Sequence, residues 1–586
     1  MKPVLRLVVL LCLTCIGAIN SFLGARAQPA RLRPPSRTPE TVNSSAALPE
    51  QPRVFLDTKY VEPTGRILHV GQGGDLQTTI NAAQAGDVIT LQPGAMFVGN
   101  FELPARGTPI GNANEWITIR PAVSDYCLPL PENRITPEYA NLLPKIVSPN
   151  PRAAIRTLPG ARHYRLIGLE ISLADGEDYS QGLVLLGNGS NEQNAPETIP
   201  HDLIVDRCYI HGSKVNNITR GVALNSARTA VIDSYISDIH GMDFDTQAIA
   251  GWNGPGPFKI VNNFLEGAGE NLLFGGADPF INGLIPSDIE IRGNHFFKPM
   301  SWRVGAPEYE GMHWSVKNLL ELKNSQRVLI EGNVMENNWA DAQVGFAVLF
   351  KSVNQDGTAP WSVTQDVTFI NNIIRHSYSA LNLLGFDPDQ PGGLMKRVLI
   401  KNNLWDNIDG QQFGGQPGIF LQVSDLPDLI LDHNTILHSG TVISVYGTPS
   451  PNFVYTNNLS AHNEYGVKGD GAGSGNDTLT MFFPSATFTK NVLAGGESGS
   501  YPPNNFFPVG LSEVKFVNPN DGVYRLAPNS PYRLAGSDGK DLGCDFDALT
   551  KAIHKNVLLT SWPSRTIPSP KLLCGRVGLT APTLPR

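Results

Sequence analysis

Charge is scarce in this sequence: Asp, Glu, Lys and Arg make up 17% of its 586 residues, against about 25% in ordinary soluble domains. Helices faced with Lys and Glu are hard to build from such a chain. Basic residues form no stripe and the net charge is −8, which argues against nucleic acid as a partner. Cysteine is sparse, and the four of its six residues that lie beyond the N-terminal apolar run are scattered with no CxxC pair, so no zinc site is expected. No apolar run reaches the ~20 residues of a membrane helix. What the chain has in quantity is Gly (58) and Pro (46), residues of turns rather than of helix interiors.

The N-terminus reads as an export signal. Lys2 and Arg6 precede an apolar core from Val8 to Ile16, and "ARA" at 25–27 is a small-x-small cleavage site. The expected mature chain begins at Gln28, is periplasmic or extracellular, and keeps no stable membrane span. Residues 28–55 are rich in Pro, Ser and Arg and read as a flexible leader. Residues 56–545 carry the folded body and 546–586 a C-terminal extension. Cys127, Cys208, Cys544 and Cys574 survive cleavage, and Cys544 with Cys574 is a candidate disulfide in an exported protein.

The body repeats. "FKIVNNFLEG" at 258 recurs as "DIEIRGNHFF" at 288, "RVLIEGNVME" at 327, "DVTFINNIIR" at 366, "RVLIKNNLWD" at 397, "DLILDHNTIL" at 428 and "NFVYTNNLSA" at 452. Each unit is a β-rich strand, a two-residue break ending in Asn, and a second short strand. Cys208, Ser234 and Leu169 hold the same position upstream. Self-similarity at a few tens of residues marks a repeat architecture. Neither an L-x-x-L-x-L frame nor a 3.6-residue apolar period is present. Asn tolerates the left-handed corner, and its amide can bond the Asn one rung away, as stacked amides do in cross-β structures.

With this corner the chain resembles the right-handed parallel β-helix proteins of the pectate lyase superfamily, over residues 65 to 545. The resemblance implies an all-β, single-stranded solenoid of roughly ten rungs, with a short N-terminal capping helix. "DLQTTINAAQAG" supplies that helix, with Leu76, Ile80 and Ala83 on one face, Asp75 as N-cap and Gly86 as stop.

Strands ahead of the corner pairs form a further face, where alternate residues turn outward. With Leu320 and Leu322 inward, Glu321 and Lys323 point out; with Val348 and Phe350 inward, so does Lys351. With Leu272 and Phe274 inward, Asn271 points out beside Glu270, and Gln247 and Trp252 lie on the rung before. Charges so exposed should add only about 0–1 kcal/mol to stability. Gly275 and Gly276 leave room for a ligand. The insertion "FKPMSWRVGAPEYEGMHWSVK" brings Trp302, Arg303, His313 and Trp314, either to stack on sugar rings or to pin a long loop.

"LLELKNS" resembles the strand bearing the lysine base in the chondroitinase B and alginate lyase branch. That resemblance implies an acidic polysaccharide cleaved by β-elimination, with Lys323 as base and Lys351 lowering its pKa. It also implies Ca2+ held by Glu270, Asn271 and Glu321. Where the branch has RHG on the next rung, this chain reads "LFKS". Two other readings stay open: a non-catalytic glycan-binding, adhesin or structural β-helix, and a glycoside hydrolase. The expected partner is a polysaccharide, and the expected state a monomer.

Overall fold

A computed structural model of the chain describes residues 46–106 and 116–553. The expected signal peptide, residues 28–45 of the leader, and Cys574 with the rest of 554–586 lie outside the described residues. No described helix is long and apolar enough to cross a membrane.

Each turn of the chain lays down three short strands, and like strands stack in parallel into sheets of 14, 13 and 12 strands. Phe258–Val261 joins the first sheet, Phe264–Gly267 the second and Glu270–Phe274 the third; Ser287–Arg292 then returns to the first. This is the parallel β-helix expected, wound in the right-handed sense that parallel crossovers take. It has more rungs than the roughly ten counted by corners, because the rungs upstream of Leu169 lack the corner signature. Val328 pairs with Ile289 and Val367, and Ile330 with Ile291 and Phe369. Such matched inward residues stack like on like into one core running from Val70 to Tyr501.

The corner between first and second sheets is built as an amide ladder. Asn263 donates from its backbone N and its Nδ2 to Asn294 Oδ1 (2.9 and 3.0 Å). The pattern repeats through Asn333, Asn372, Asn403, Asn434 and Asn458. It continues to Asn491 and Asn505, two steps the repeat did not reveal. The left-handed residue is the one before the ladder Asn: Asn262, Gly293, Gly332, Asn371, Asn402, His433 and Asn457 all have φ between 53° and 66°. The two positions divide the work: one turns the chain and the next bonds the neighbouring rung.

The open N-terminal end is plugged by Leu76–Ala82, which buries Leu76 and Ile80 and is capped by Asp75 Oδ1 accepting from Thr78 N (2.9 Å). The helix ends at Ala83, short of Gly86. Residues 46–55 are not a free leader. They run along the first sheet, where Ala47 N donates to Asp428, Glu50 N to Asp366 and Arg53 N to Asp288 (2.9–3.1 Å). Beyond them, Leu56 O accepts from Lys259 and Thr58 O from Arg165. A segment with no regular structure of its own is held because the Asp at the start of alternate rungs, Asp288, Asp366 and Asp428, adopts a left-handed φ and aims its carboxylate at the strap. Near its C-terminus the chain folds back along the middle of the coil, where Phe546–Ala552 packs Leu549 and Ile553 against Val334 and Leu404. Cys544 there is a buried free thiol, not a disulfide partner of Cys574, and Cys127 is the disulfide-bonded cysteine. The Cys544 thiol instead donates to Asn403 O (2.8 Å).

Candidate active site

On the third sheet, Asn318–Leu322 turns Leu320 and Leu322 into the core, as alternation predicts. Glu321 points the other way yet is 0% exposed. Its neighbours on the same face are Leu273 on the rung before and Leu349 on the rung after, so the carboxylate sits between two aliphatic side chains. Lys323 and Lys351 lie over it, with Nζ 3.5 and 3.6 Å from Oε1. Gly275 makes room for this arrangement rather than for a ligand. Its φ is +101°, and a Cβ there would fall 2.7 Å from Lys323 Cβ.

A second carboxyl completes the floor. Glu270 pairs in register with Asn318 and with Gln247; Gln247 Nε2 donates to Glu270 Oε2 (2.7 Å). Asn318 Nδ2 donates to Glu321 Oε2 (3.2 Å), and the Glu270 and Glu321 carboxyls share a hydrogen bond. Burial, then repulsion from Glu321, pushes Glu270 above the usual carboxylate range. Burial would do the same to Glu321, but Lys323, Lys351 and Lys317 pull it below that range. Two adjacent carboxyls cannot both ionise cheaply, so Glu270, raised to about 7, takes up a proton before Glu321 does.

The lysines divide as well. Burial opposes the charge on Lys323, but Glu321, Glu270 and Asp245 outweigh it and hold its pKa above the usual value. For Lys351 burial prevails, aided by repulsion from Lys323, and its pKa falls. The expectation that Lys351 would lower the pKa of Lys323 is thus reversed: Lys323 is the fixed cation and Lys351 the one nearer neutrality. Lys317 pairs with Asp245 at the rim. Arg220 stacks on the Trp252 ring 4.7 Å from its centroid, while Trp252 Nε1 donates to Gly189 O (3.1 Å). While Glu270, its pKa raised to about 7, holds its proton, the four cations Arg220, Lys317, Lys323 and Lys351 face three acids, Glu321, Asp245 and, beside Lys351, Asp387. The patch is positive on an acidic protein. Beside it, toward the N-terminal rungs, a groove of about 400 Å3 runs past Arg156, Tyr179, Arg220 and Trp252.

Other expected residues lie elsewhere. Asn271 does not point out of the sheet. Its amide donates to the carbonyls of Leu265 (2.7 Å) and Phe297 (2.8 Å) on the second sheet, closing the corner from inside, so Glu270 takes the outward place. Glu270, Asn271 and Glu321 therefore do not converge on a point, and three lysines surround the carboxylates. That donor set does not fit Ca2+. Among the described residues no group of three or more His, Cys, Asp or Glu is placed to hold a metal. Trp302 and Trp314 are 5% and 2% exposed and pack with Val316, Trp339 and Phe413, so they pin the insertion to the coil. Arg303 donates to Gln412 O and lies over Phe413; His313 Nε2 bonds Asp341 (2.7 Å). Lys317 and Asn318, unread beforehand, directly precede "LLELK", and their distance from the charged pair along the strand was the available signal. Arg220 carried none, because only rung register brings it near.

Because Glu321 is buried, its removal is expected to cost more than the 0–1 kcal/mol of an exposed pair. Glu321→Ala should lose about 2–3 kcal/mol, less than the ~3–5 of a fully enclosed pair since its lysines keep some water. Urea denaturation measures this, and an unchanged midpoint would refute the buried anchor.

No family model and no curated protein matches the chain. Solved structures do. The PL6 family alginate lyase AlyGC superposes with a TM-score of 0.45 at 13% identity, covering 86% of this chain and 59% of that one. An alginate lyase from a Paenibacillus species gives 0.28 at 11% identity, over 76% of this chain and 98% of that. An E. coli bacteriophage tailspike, solved with a pentasaccharide, gives 0.41 at 11%, over 74% and 62%. The chain spans about three fifths of the length of the first of these lyases. At such identities the likeness concerns the fold.

Proposed function

We propose that this chain is an exported, monomeric carbohydrate-active β-helix that binds an acidic polysaccharide along the third sheet and cleaves it by β-elimination. One observation carries the reading: a buried Glu321 with Lys323 and Lys351 at 3.5 and 3.6 Å on a positive, solvent-facing patch. A uronate carboxylate pairs with Lys323, whose charge Glu321 maintains. The free amine of Lys351 takes the proton on the carbon beside that carboxylate. The C–H electrons form the new C=C bond, the glycosidic C–O bond breaks, and the departing oxygen is protonated from solvent. Lysine as general base requires a lowered pKa, which Lys351 has.

A glycoside hydrolase fits less well. Its two carboxyls stand ~5–5.5 or ~6.5–9.5 Å apart around a scissile bond, whereas Glu270 and Glu321 touch each other and are 1% and 0% exposed. The test is a panel of uronate polysaccharides, with and without calcium, followed by absorbance of the unsaturated product. Cleavage of at least one, unaffected by chelator, is expected. Binding without any product would leave a non-catalytic glycan-binding protein, and reducing ends without unsaturation a hydrolase.

A further inference from the structure

The second sheet carries a cavity of the opposite character. About 530 Å3 in volume, it is lined by Tyr209, Tyr235, Trp302, Ser237, Asp238 and Glu266 among others. Its wall is the insertion that Trp302 and Trp314 pin to the coil, tied across the mouth by Lys214 to Glu310 (2.8 Å). Its floor is a β-bulge: between Tyr235–Ile239 and Phe264–Gly267 the register jumps from Ile236↔Leu265 to Ile239↔Gly267. Ser237 and Asp238 together thus oppose Glu266. Bulges re-aim side chains and recur beside functional sites. Here Asp238 takes φ 54°, and its backbone N donates to Glu266 Oε1 (2.9 Å), which brings the two acids together.

Neither carboxyl has a counter-ion in contact: His211 and Lys214 attract Asp238 from a distance, and Lys214 is itself bonded to Glu310. Glu266 is 9% exposed, and among the described residues neither acid has a salt-bridge partner. The nearest buried ammonium, Lys298, spends its three protons on the carbonyls of Gly267, Ala268 and Gly269 (2.5–3.1 Å). Burial, and for Glu266 the adjacent Asp238, push both acids above the usual carboxylate range. Glu266 is buried and Asp238 half-buried beside it, so the ionised pair is costly alone and is stabilised by a cation entering the cavity. Aromatic faces beside them suit both a cation and the C–H face of a sugar, and the volume lies within the range of small-ligand sites.

We propose that this cavity is a second ligand site, which binds a sugar unit carrying a protonated amine. The ammonium would lie between Asp238 and Glu266, the ring against Tyr235 and Tyr209, and the hydroxyls at Ser237 and Ser301. It is separate from the third-sheet patch, whose sign of charge is the reverse.

Calorimetry with the whole mature chain tests this, titrating glucosamine oligomers, their N-acetylated counterparts, neutral glucose oligomers and a simple diamine. Glucosamine oligomers should bind best, and Glu266→Gln should weaken them about tenfold or more, as loss of a charge-assisted bond does. Turnover at the third sheet should be unchanged in that variant. Equal binding of the acetylated or neutral sugars would overturn the cation requirement; equal binding of the diamine would overturn the sugar. No binding by the wild type would overturn the site. If Glu266→Gln does not fold, Tyr235→Ala replaces it, and unaltered glucosamine affinity in that variant would overturn the placement.

Discussion

Lys351→Met is expected to leave the coil folded and to cut kcat on the cleaved polysaccharide about 10²–10⁴-fold, the usual worth of a positioned general base. Methionine keeps the aliphatic stem and removes the amine. Lys351 reaches solvent and holds no core contact that its Nζ supplies, so unfolding is not the expected outcome. Lys323→Met should behave differently. Its ammonium binds the carboxylate in ground state and transition state alike, so KM should rise more than kcat falls. The two variants are linked through pH. Activity should increase with pH as Lys351 loses its proton, at a pH below the ordinary lysine value because burial and Lys323 lower its pKa. Removing Lys323 deletes one of those causes and should move the rise to higher pH. A Lys351→Met enzyme with wild-type kcat would show that the base lies elsewhere.

Asn372→Leu is expected to be the most destabilising single change in the coil, at about 3–5 kcal/mol. Asn372 Oδ1 accepts from Asn333 N (2.9 Å) and Asn333 Nδ2 (2.9 Å). Its own Nδ2 donates to Ile330 O (3.0 Å) and Asn403 Oδ1 (3.1 Å). Leucine satisfies none of the four, and the position is 0% exposed, so water cannot replace it without disrupting the corner. Each buried group left unpaired costs about 1–3 kcal/mol, partly recovered by local relaxation. Asn505→Leu, at the exposed end of the same ladder, should cost about 1 kcal/mol. Urea denaturation of the two variants measures the contrast. A loss below about 1 kcal/mol at Asn372 would mean that the ladder bonds are not worth their geometry.

The corners, the capping helix and the inward leucines were legible because each is written locally: a repeated Asn, an Asp ahead of an apolar face, a period of two. Burial of Glu321 was not, since alternation says which way a side chain points and not what stands beside it. Leu273 and Leu349 bury it, and they arrive from rungs more than twenty residues away. Asn271 was misplaced for a related reason. The corner between second and third sheets has no repeated residue to set the phase, so the alternation that holds from Leu272 on was carried one residue too far back, into the corner. The tryptophans of the insertion looked equally fit to bind or to pin; only packing against Val316 and Phe413 decides for pinning. The bulge at Ser237–Asp238 leaves no trace in composition, and the second-sheet cavity went unseen with it.

The strap along the first sheet changes how the coil should come apart. In a stack of repeats each rung touches only its neighbours, so melting can start at either end and stop part-way. Here residues 47 to 58 are bonded in turn to Asp428, Asp366, Asp288, Lys259 and Arg165, and of the rungs they join only those of Asp288 and Lys259 pair directly. It acts as a lashing wound across the staves of a cask: no stave can lift without loosening the cord over the others. Fraying of the C-terminal rungs is thereby charged against contacts near the N-terminal plug, and a modular ladder acquires the all-or-none failure of a single globule.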